Sequence, residues 1–264
     1  MVIMQTYIEK GDEVILPVPT FAMFRFYAQL MDANIKEILY NKNLSFPTES
    51  VLKSITRKTK LVILCNPNNP TGTPIKREDI IKIIKKAEAN NSLVLLDEAY
   101  VQYNKETCRD LINKCKNLIV IQTFSKAYGM AGLRLGYAIA NKGVMKNLLK
   151  VASPYSVNTI ATAAGSAAID DQEFVKNYVK EVEKSKKIIY RELKRLKIKT
   201  YPTAANFLIA YFGKNAKKIA DELKKNGILV RDRSKYPLLK GCLRIGIGTA
   251  EQTNQLIKAL KVLL

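Results

Sequence analysis

The sequence contains no histidine in its 264 residues, and this absence excludes several kinds of active site. A Ser-His-Asp or Cys-His nucleophile, a His-ligated zinc or haem and an imidazole base all require histidine. Proton transfer in this chain would therefore use lysine, tyrosine, cysteine or a carboxylate. The four cysteines show no CxxC spacing, so we expect no metal site, and free thiols in a reducing cytoplasm are the simplest interpretation.

Long apolar runs are also missing. No segment approaches the roughly 20 apolar residues that a membrane span needs. Residues 1–14 lack the apolar core and small-residue cleavage site of a secretory signal. We therefore expect no membrane partner. The apolar fraction of 47% is nevertheless that of a folded chain rather than a disordered one.

Acidic residues are scarce, with 23 Asp and Glu against 44 Lys and Arg. Most of the excess of basic residues lies in the second half of the sequence. Six basic residues there are spaced three or four apart along one predicted helix: Lys176, Lys180, Lys184, Lys187, Arg191 and Lys194. An opposing apolar stripe contains Val175, Val179, Val182, Ile189, Leu193 and Leu196. This pattern favours a surface helix with a solvated basic face. A polyanion-binding helix is the alternative, but no known nucleic-acid module accompanies the charge, so we expect no nucleic-acid partner.

In the first half, short apolar runs alternate with amphipathic segments. Strands are predicted at Glu13–Leu16, Leu61–Cys65, Leu93–Leu96, Leu118–Ile121 and Leu135–Ala140, with helices at Ala22–Met31 and Arg77–Asn90. Continuous apolar strands separated by helices indicate an α/β fold, with a mostly parallel sheet covered by helices on both faces. In such sheets ligands bind beyond the carboxyl ends of the strands, so the following loops should carry the chemistry.

From Asn158 onward the pattern changes. One helix is predicted through Ala168 and a long one over Glu173–Leu196. Beyond it, predicted strands (Phe207–Ala210, Ile228–Val230, Leu243–Ile247) alternate with helices (Ala216–Asn226, Glu251–Leu264). This pattern predicts a large domain over residues 1–172 and a smaller α+β domain over residues 173–264 that includes the long connecting helix.

Polar loops follow three of the predicted strands. Their sequences are NPNNPTG at residues 66–72, DEAY at residues 97–100 and TFSKAYGMAGLR at residues 123–134. Each alone has an ordinary explanation as turn or capping chemistry. Their order and spacing together resemble the pyridoxal-phosphate-dependent aminotransferases of fold type I. The later segments VRDRS (residues 230–234) and GCLRIG (residues 241–246) are most similar to the histidinol-phosphate aminotransferase branch.

The resemblance implies pyridoxal phosphate as cofactor, an electron sink that the protein must attach and orient. Lys126 matches the lysine that bonds to the cofactor, and its amine needs a lowered pKa to act as nucleophile and base. Asp97 matches the carboxylate that keeps the pyridine nitrogen protonated, whereas the adjacent Glu98 should be structural. Asn69 and Tyr100 are implied to contact the phenolic oxygen of the cofactor. Phe21 is implied to stack on the ring face, although Phe24 is an alternative and Phe21 could be a core residue. The implied phosphate ligands are Thr123, Ser125 and Arg134.

Three further residues are implied to bind substrate. Arg244 resembles the arginine that grips the substrate carboxylate, for which a guanidinium fork is well suited. Arg231 resembles the residue that favours a phosphorylated side chain, and Asn206 resembles a position near the substrate carboxylate. Arg233 is either an assistant or a solvated residue.

By this resemblance the protein transfers an amino group between glutamate and imidazole acetol phosphate, in histidine biosynthesis in the cytoplasm. The implied partners are small amino-acid and phosphorylated keto substrates and a second copy of the chain in a homodimer. Aromatic amino-acid aminotransferase and threonine-phosphate decarboxylase activities remain alternatives, as does an inactive remnant. Family members also begin earlier, with an N-terminal arm and a glycine turn that contacts the cofactor phosphate. We therefore expect an N-terminally truncated enzyme that binds its cofactor weakly.

Overall fold

The computed structural model describes residues 1–104 and 106–264 and contains two β-sheets. The larger sheet comprises β1 (Glu13–Val18), β2 (Asn34–Leu39), β3 (Thr59–Cys65), β4 (Leu93–Asp97), β5 (Leu118–Thr123) and β6 (Gly136–Ala140). Its strand order is β2-β1-β3-β4-β5-β6, and every pairing is parallel except that of β5 with β6. The predicted α/β fold with a mostly parallel sheet is confirmed.

Helices cover both faces of this sheet. On one face lie α1 (Val2–Tyr7), α2 (Ala22–Leu30) and α6 (Lys142–Val151), and on the other lie α3 (Thr48–Ser54) and α4 (Arg77–Glu88). Two more helices in this part of the chain are α5 (Val101–Asn104) and α7 (Thr159–Asp170). Alternate residues of β3 show the two layers, because Val62 and Leu64 pack with α3 and α4, while Leu61 and Ile63 pack with α1, α2 and α6. The inner strands β1, β3, β4 and β5 are therefore buried on both sides, which explains their apolar runs.

The smaller sheet is antiparallel, with the order β7-β8-β10-β9. Its strands are β7 (Lys199–Thr200), β8 (Phe207–Tyr211), β9 (Arg231–Asp232) and β10 (Cys242–Gly246), and its helices are α8 (Gln172–Arg195), α9 (Ala216–Lys225) and α10 (Ala250–Leu263). Leu208, Leu243 and Ile245 pack in a cluster with the apolar side chains of these helices. The division into a large domain over residues 1–172 and a small domain over residues 173–264 stays a prediction.

The long helix α8 has the two faces that the sequence predicts. All six basic residues of its stripe are exposed, and the opposing Val182, Ile189 and Leu193 are fully buried. Most of the basic excess in this segment is therefore a solvated helix face.

Two local predictions differ from the structure. The segment Ile228–Val230 is not a strand. Instead, β9 begins directly after this segment, at Arg231, and pairs with β10. The strand β2 was not predicted, because its sequence NIKEIL is polar and lies at the edge of the sheet, where both faces stay partly exposed.

Candidate functional site

The polar loops meet at the carboxyl edge of the large sheet. The strand β3 ends at Cys65, β4 ends at Asp97 and β5 ends at Thr123. Cys65 lies beside Asp97 in the parallel register, and Asp97 lies beside Ile121. Loops that are far apart in sequence therefore leave the sheet next to each other, as expected for a ligand site of this fold.

A cavity of about 260 Å³ lies at this edge. Its lining includes all eight residues predicted to contact a cofactor: Phe21, Asn69, Asp97, Tyr100, Thr123, Ser125, Lys126 and Arg134. The volume is near the lower end of small-molecule pockets, which span roughly 300–1,000 Å³. The structure thus brings these side chains together, while their individual roles stay predictions.

Asp97 is the buried anionic group of the cavity. Its Oδ1 accepts a hydrogen bond from the backbone N–H of Ala99 at 2.9 Å, and the Cys65 thiol lies 3.8 Å from Oδ2. Burial raises the pKa of Asp97 to about 6, although these two hydrogen bonds and the charge of Lys126 oppose the rise. Among the described residues it forms no ion pair, so its charge is only partly compensated.

Lys126 follows β5 and places its ammonium nitrogen 5.4 Å from the centre of the Tyr100 ring. The pKa of Lys126 is lowered, first by burial and then by the positive charge of Arg244, while Asp97 acts in the opposite direction. A lowered pKa increases the fraction of neutral amine, which is the form that attacks carbonyl carbon. The site therefore favours the neutral form of this amine, whereas its role as nucleophile and base stays a prediction.

Asn69 connects the cavity to the smaller sheet. Its Oδ1 accepts a hydrogen bond of 2.7 Å from Nη1 of Arg244, so its amide N–H donors remain available to a ligand. The guanidinium of Arg244 also lies 4.9 Å from the ring centre of Phe207, whose edge-on partner is Tyr100 at 5.1 Å. Burial raises the pKa of Tyr100 well above its usual value, so its hydroxyl is a hydrogen-bond donor at neutral pH.

The structure distinguishes the two phenylalanines considered for stacking on a planar ligand. Phe21 precedes α2, is 41% exposed and borders the cavity, whereas Phe24 is 6% exposed and belongs to the core. The two rings meet edge to face at 5.7 Å, so the core residue orients the exposed one. Phe21 is thus the side chain that can offer a ring face to a ligand.

The residues predicted to hold a phosphate are Thr123, Ser125 and Arg134. The Thr123 hydroxyl accepts from the backbone N–H of Ser125 at 3.1 Å, which fixes the start of the loop after β5. Arg134 has a left-handed backbone with φ of 55°, a conformation that costs a non-glycine residue about 1–2 kcal/mol. Its exposed guanidinium uses Nη1 to donate to the carbonyl of Ala131 and keeps its other donors for a ligand.

The predicted substrate residues lie on the smaller sheet. Arg244 is half-buried and reaches the cavity wall through Asn69, whereas Arg231, its partner in the β9–β10 register, is exposed. Asn206 is half-buried beside β8, where its carbonyl accepts from the backbone N–H of Ile247 at 2.8 Å. None of these three is among the residues that line the cavity itself.

Sequence reasoning missed Cys65 and Gln122 as lining residues. The signal available was that each belongs to a strand that ends at the site. Gln122 bridges Tyr137 and Glu98, because its amide oxygen accepts at 2.6 Å and its Nε2 donates at 2.7 Å. Glu98 is fully buried and also accepts from the hydroxyl of Thr107 and the backbone N–H of Cys108. The prediction that Glu98 is structural is confirmed.

These groups fit pyridoxal phosphate. A protonated ring nitrogen would supply the cation that the buried Asp97 lacks, and the amine of Lys126 faces the same space. The exposed ring of Phe21 offers a stacking surface, and Arg134 offers guanidinium donors for a phosphate group.

The family model for aminotransferases of class I and II matches residues 1–260. The chain belongs to this family. The histidinol-phosphate aminotransferase of Thermoanaerobacter pseudethanolicus is 41% identical over 264 residues, a match that covers 99% of this chain and 74% of that protein. The corresponding enzyme of Methanocaldococcus jannaschii is 38% identical, with 98% of this chain and 70% of that protein covered.

Solved structures of the family share the fold. The histidinol-phosphate aminotransferase of Sinorhizobium meliloti, solved in complex with pyridoxal 5′-phosphate, superposes with a TM-score of 0.88 at 26% identity. That match covers all of this chain and 74% of the other. The predicted fold type is therefore confirmed.

Neither a membrane helix nor a metal cluster is found in the part of the chain that the structure describes. No helix there is long and apolar enough to cross a bilayer. No three acidic or cysteine side chains converge as metal ligands in those residues.

Proposed function

We propose that the chain is a pyridoxal-phosphate-dependent histidinol-phosphate aminotransferase. One observation supports this most directly: Lys126 and Asp97 share a cavity whose wall is held by Arg244 through Asn69. This arrangement provides an amine, a buried carboxylate and a fixed guanidinium within one site. The relatives of 38–41% identity that carry the histidinol-phosphate aminotransferase name favour this substrate over others of the family.

Lys126 is the proposed catalytic residue. When bound, pyridoxal phosphate supplies an electron sink for the bonding electrons of the substrate carbon that bears the amino group. The amine of Lys126 would hold the cofactor through its carbonyl group, and in its neutral form it would accept the proton of the substrate carbon that bears the amino group and return it nearby. Its lowered pKa keeps a share of the amine neutral for both tasks.

The neighbouring groups would orient the ring and set its charge. Asp97 would hold the proton on the ring nitrogen, since a buried carboxylate is most stable beside a cation. The hydroxyl of Tyr100 and the free amide N–H of Asn69 would donate to the phenolic oxygen. Phe21 would pack on one ring face and exclude water there, while Thr123, Ser125 and Arg134 would hold the phosphate.

The substrate would bind on the side of the smaller sheet. Arg244 would hold the acidic group of the substrate, because its guanidinium is already oriented by Asn69 and Phe207. Arg231 and Asn206 are proposed secondary contacts. We further propose a cytoplasmic homodimer, as the family resemblance implies, with residues 1–172 and 173–264 as its two domains.

Cofactor binding is tested by adding pyridoxal phosphate to the purified chain and recording the visible absorbance of the bound form. We expect a weak signal from the unmodified chain, as the resemblance implies, and no signal from Lys126→Ala. The exposed α6 residue Lys146 provides the matched control, because Lys146→Ala should retain the signal. Equal signals from both variants would contradict the assignment of Lys126.

Substrate choice is tested by single-turnover reactions of the cofactor-loaded chain with histidinol phosphate and with phenylalanine. Faster turnover of histidinol phosphate is expected. Preference for phenylalanine would instead support an aromatic aminotransferase. Release of carbon dioxide from threonine phosphate would support the decarboxylase alternative.

A further inference from the structure

The fully buried side chain of Asn68 joins two segments that are far apart in sequence. Its amide Nδ2 donates to the carbonyl of Pro19 at 2.8 Å, and its Oδ1 accepts from the hydroxyl of Thr20 at 2.8 Å. Only the amide nitrogen can donate to a carbonyl, so these two hydrogen bonds fix the direction in which the amide points. The loop that follows β3 is therefore tied to the segment that follows β1.

The other polar groups of Asn68 form hydrogen bonds within its own loop. The second amide hydrogen is donated to the hydroxyl oxygen of Thr71 at 2.9 Å. The backbone N–H of Asn68 donates to the carbonyl of Thr73 at 2.9 Å, and its carbonyl accepts from the N–H of Gly72 at 2.7 Å. Moving this residue would leave several buried donors and acceptors unsatisfied, so its place in the loop is fixed.

Each of the two joined segments carries a residue of the cofactor cavity. Phe21 directly follows Thr20, and Asn69 directly follows Asn68. Both Phe21 and Asn69 line the cavity, whereas Asn68 is not among its lining residues. Any effect of Asn68 on a bound ligand must therefore pass through these two neighbours.

The backbone before Phe21 needs this support because the ring itself is poorly packed. The ring is 41% exposed, and the side chain forms no capping hydrogen bond at the start of α2. An exposed ring changes rotamer readily, and ordering it when a ligand binds weakens the affinity. The hydrogen bonds from Asn68 fix the two residues that precede the ring, so the ring is oriented before a ligand arrives.

We propose that Asn68 is a positioning residue that holds the ring of Phe21 and the amide of Asn69 in register with each other against pyridoxal phosphate. One of these side chains would contact the face of the cofactor ring and the other its edge, so a shift of either segment alone would lose one contact. The hydroxyl of Thr20 is the part of this connection that can be removed without changing Asn68. This inference rests on the proposed function, because it uses the roles proposed for Phe21 and Asn69.

The test replaces Thr20 by valine, which has nearly the same shape but no hydroxyl, and by serine, which keeps the hydroxyl. Pyridoxal phosphate is titrated into each purified chain, and the absorbance and circular dichroism of the bound cofactor are recorded. We expect Thr20→Val to weaken cofactor binding about 3- to 10-fold, the range for one lost hydrogen bond. It should also reduce the dichroism per bound cofactor, because that signal reports how asymmetrically the ring is held. Thr20→Ser should restore both, and Asn68→Ala should weaken binding more than Thr20→Val does.

Thr73→Val is the matched control, because it removes a hydroxyl from the same loop. The Thr73 hydroxyl donates to the carbonyl of Leu44 at 2.7 Å, a hydrogen bond that does not lead to Phe21. This variant should lose stability in urea much as Thr20→Val does, but its cofactor affinity should stay within about twofold of that of the unmodified chain.

A double-mutant cycle with Phe21→Ala separates positioning from a general loss of structure. Once the ring is absent, Thr20→Val should lose most of its effect on cofactor binding, so the two losses should not add. Additive losses overturn the inference, as does a Thr20→Val chain with unchanged affinity and dichroism. If the unmodified chain gives no cofactor signal at all, the inference is overturned together with the proposed function.

Discussion

The buried carboxylate of Asp97 should make the unliganded protein less stable than it could be. Its pKa in the folded chain is about 6, against 3.8 for the free side chain, so folding raises the pKa by about two units. At 1.36 kcal/mol per unit, ionising this group in the folded state costs about 3 kcal/mol. Between these two pKa values the folded state binds more protons than the unfolded state. The cost is therefore absent below about pH 4 and complete above about pH 6.

Asp97→Asn removes this cost while keeping the shape of the side chain and the oxygen that accepts from Ala99. In urea unfolding without cofactor at pH 7.5, we expect the variant to be more stable than the unmodified chain by about 2–3 kcal/mol. The difference should vanish near pH 4. The same substitution should prevent tight pyridoxal phosphate binding, because an amide cannot stabilise a protonated ring nitrogen.

The exposed carboxylate of Asp110 provides a control for which the expected change in stability has the opposite sign. Its hydrogen bond to Arg77 lowers the pKa of Asp110, so Asp110→Asn should reduce stability at pH 7.5, by less than about 1 kcal/mol because the pair is solvated. If Asp97→Asn is no more stable than the unmodified chain at pH 7.5, with unchanged urea dependence, the reasoning about its burial is refuted.

Three smaller predictions concern packing and hydrogen bonds, each measured by urea unfolding. Phe24→Ala should lower the free energy of unfolding by about 3–5 kcal/mol because its ring is buried. Phe21→Ala should lower it by less than about 1 kcal/mol but weaken cofactor binding. Equal losses of stability in the two variants would contradict these different roles. Glu98→Gln should destabilise by about 2 kcal/mol, since an amide donor would replace an oxygen that accepts within the buried network; an unchanged midpoint would argue against it. Thr249→Ala should cost about 1 kcal/mol by removing the capping box of α10, while the exposed Glu251→Ala should have a smaller effect.

The elements that the sequence predicted well are those whose burial is uniform. The strands β3, β4 and β5 each contain a continuous apolar run because both faces are covered, so their positions can be predicted without knowing their neighbours. Elements with partial burial were missed or misplaced. The strand β2 lies at the sheet edge, and β9 exists only through its hydrogen bonds to β10.

In the candidate site, too, some features could be predicted from the sequence and others required the structure. The order of the three polar loops identified the family and seven of the eight predicted residues that line one cavity, and the eighth, Phe21, lies in an earlier segment. The choice between Phe21 and Phe24 required the structure, because both belong to the same short segment and only packing decides which ring is exposed. The setting of Arg233 likewise required the structure, because only packing places its guanidinium 5.1 Å from the ring centre of Tyr236.

The sequence by itself determined the fold class, the family and the kinds of side chain that line the site, since these depend on local pattern and on the spacing of motifs. Only the tertiary structure decided the pKa directions of Asp97 and Lys126 and the hydrogen bond between Arg244 and Asn69. Those properties depend on burial and on polar groups brought together from positions up to 175 residues apart in sequence, and no local pattern contains such information.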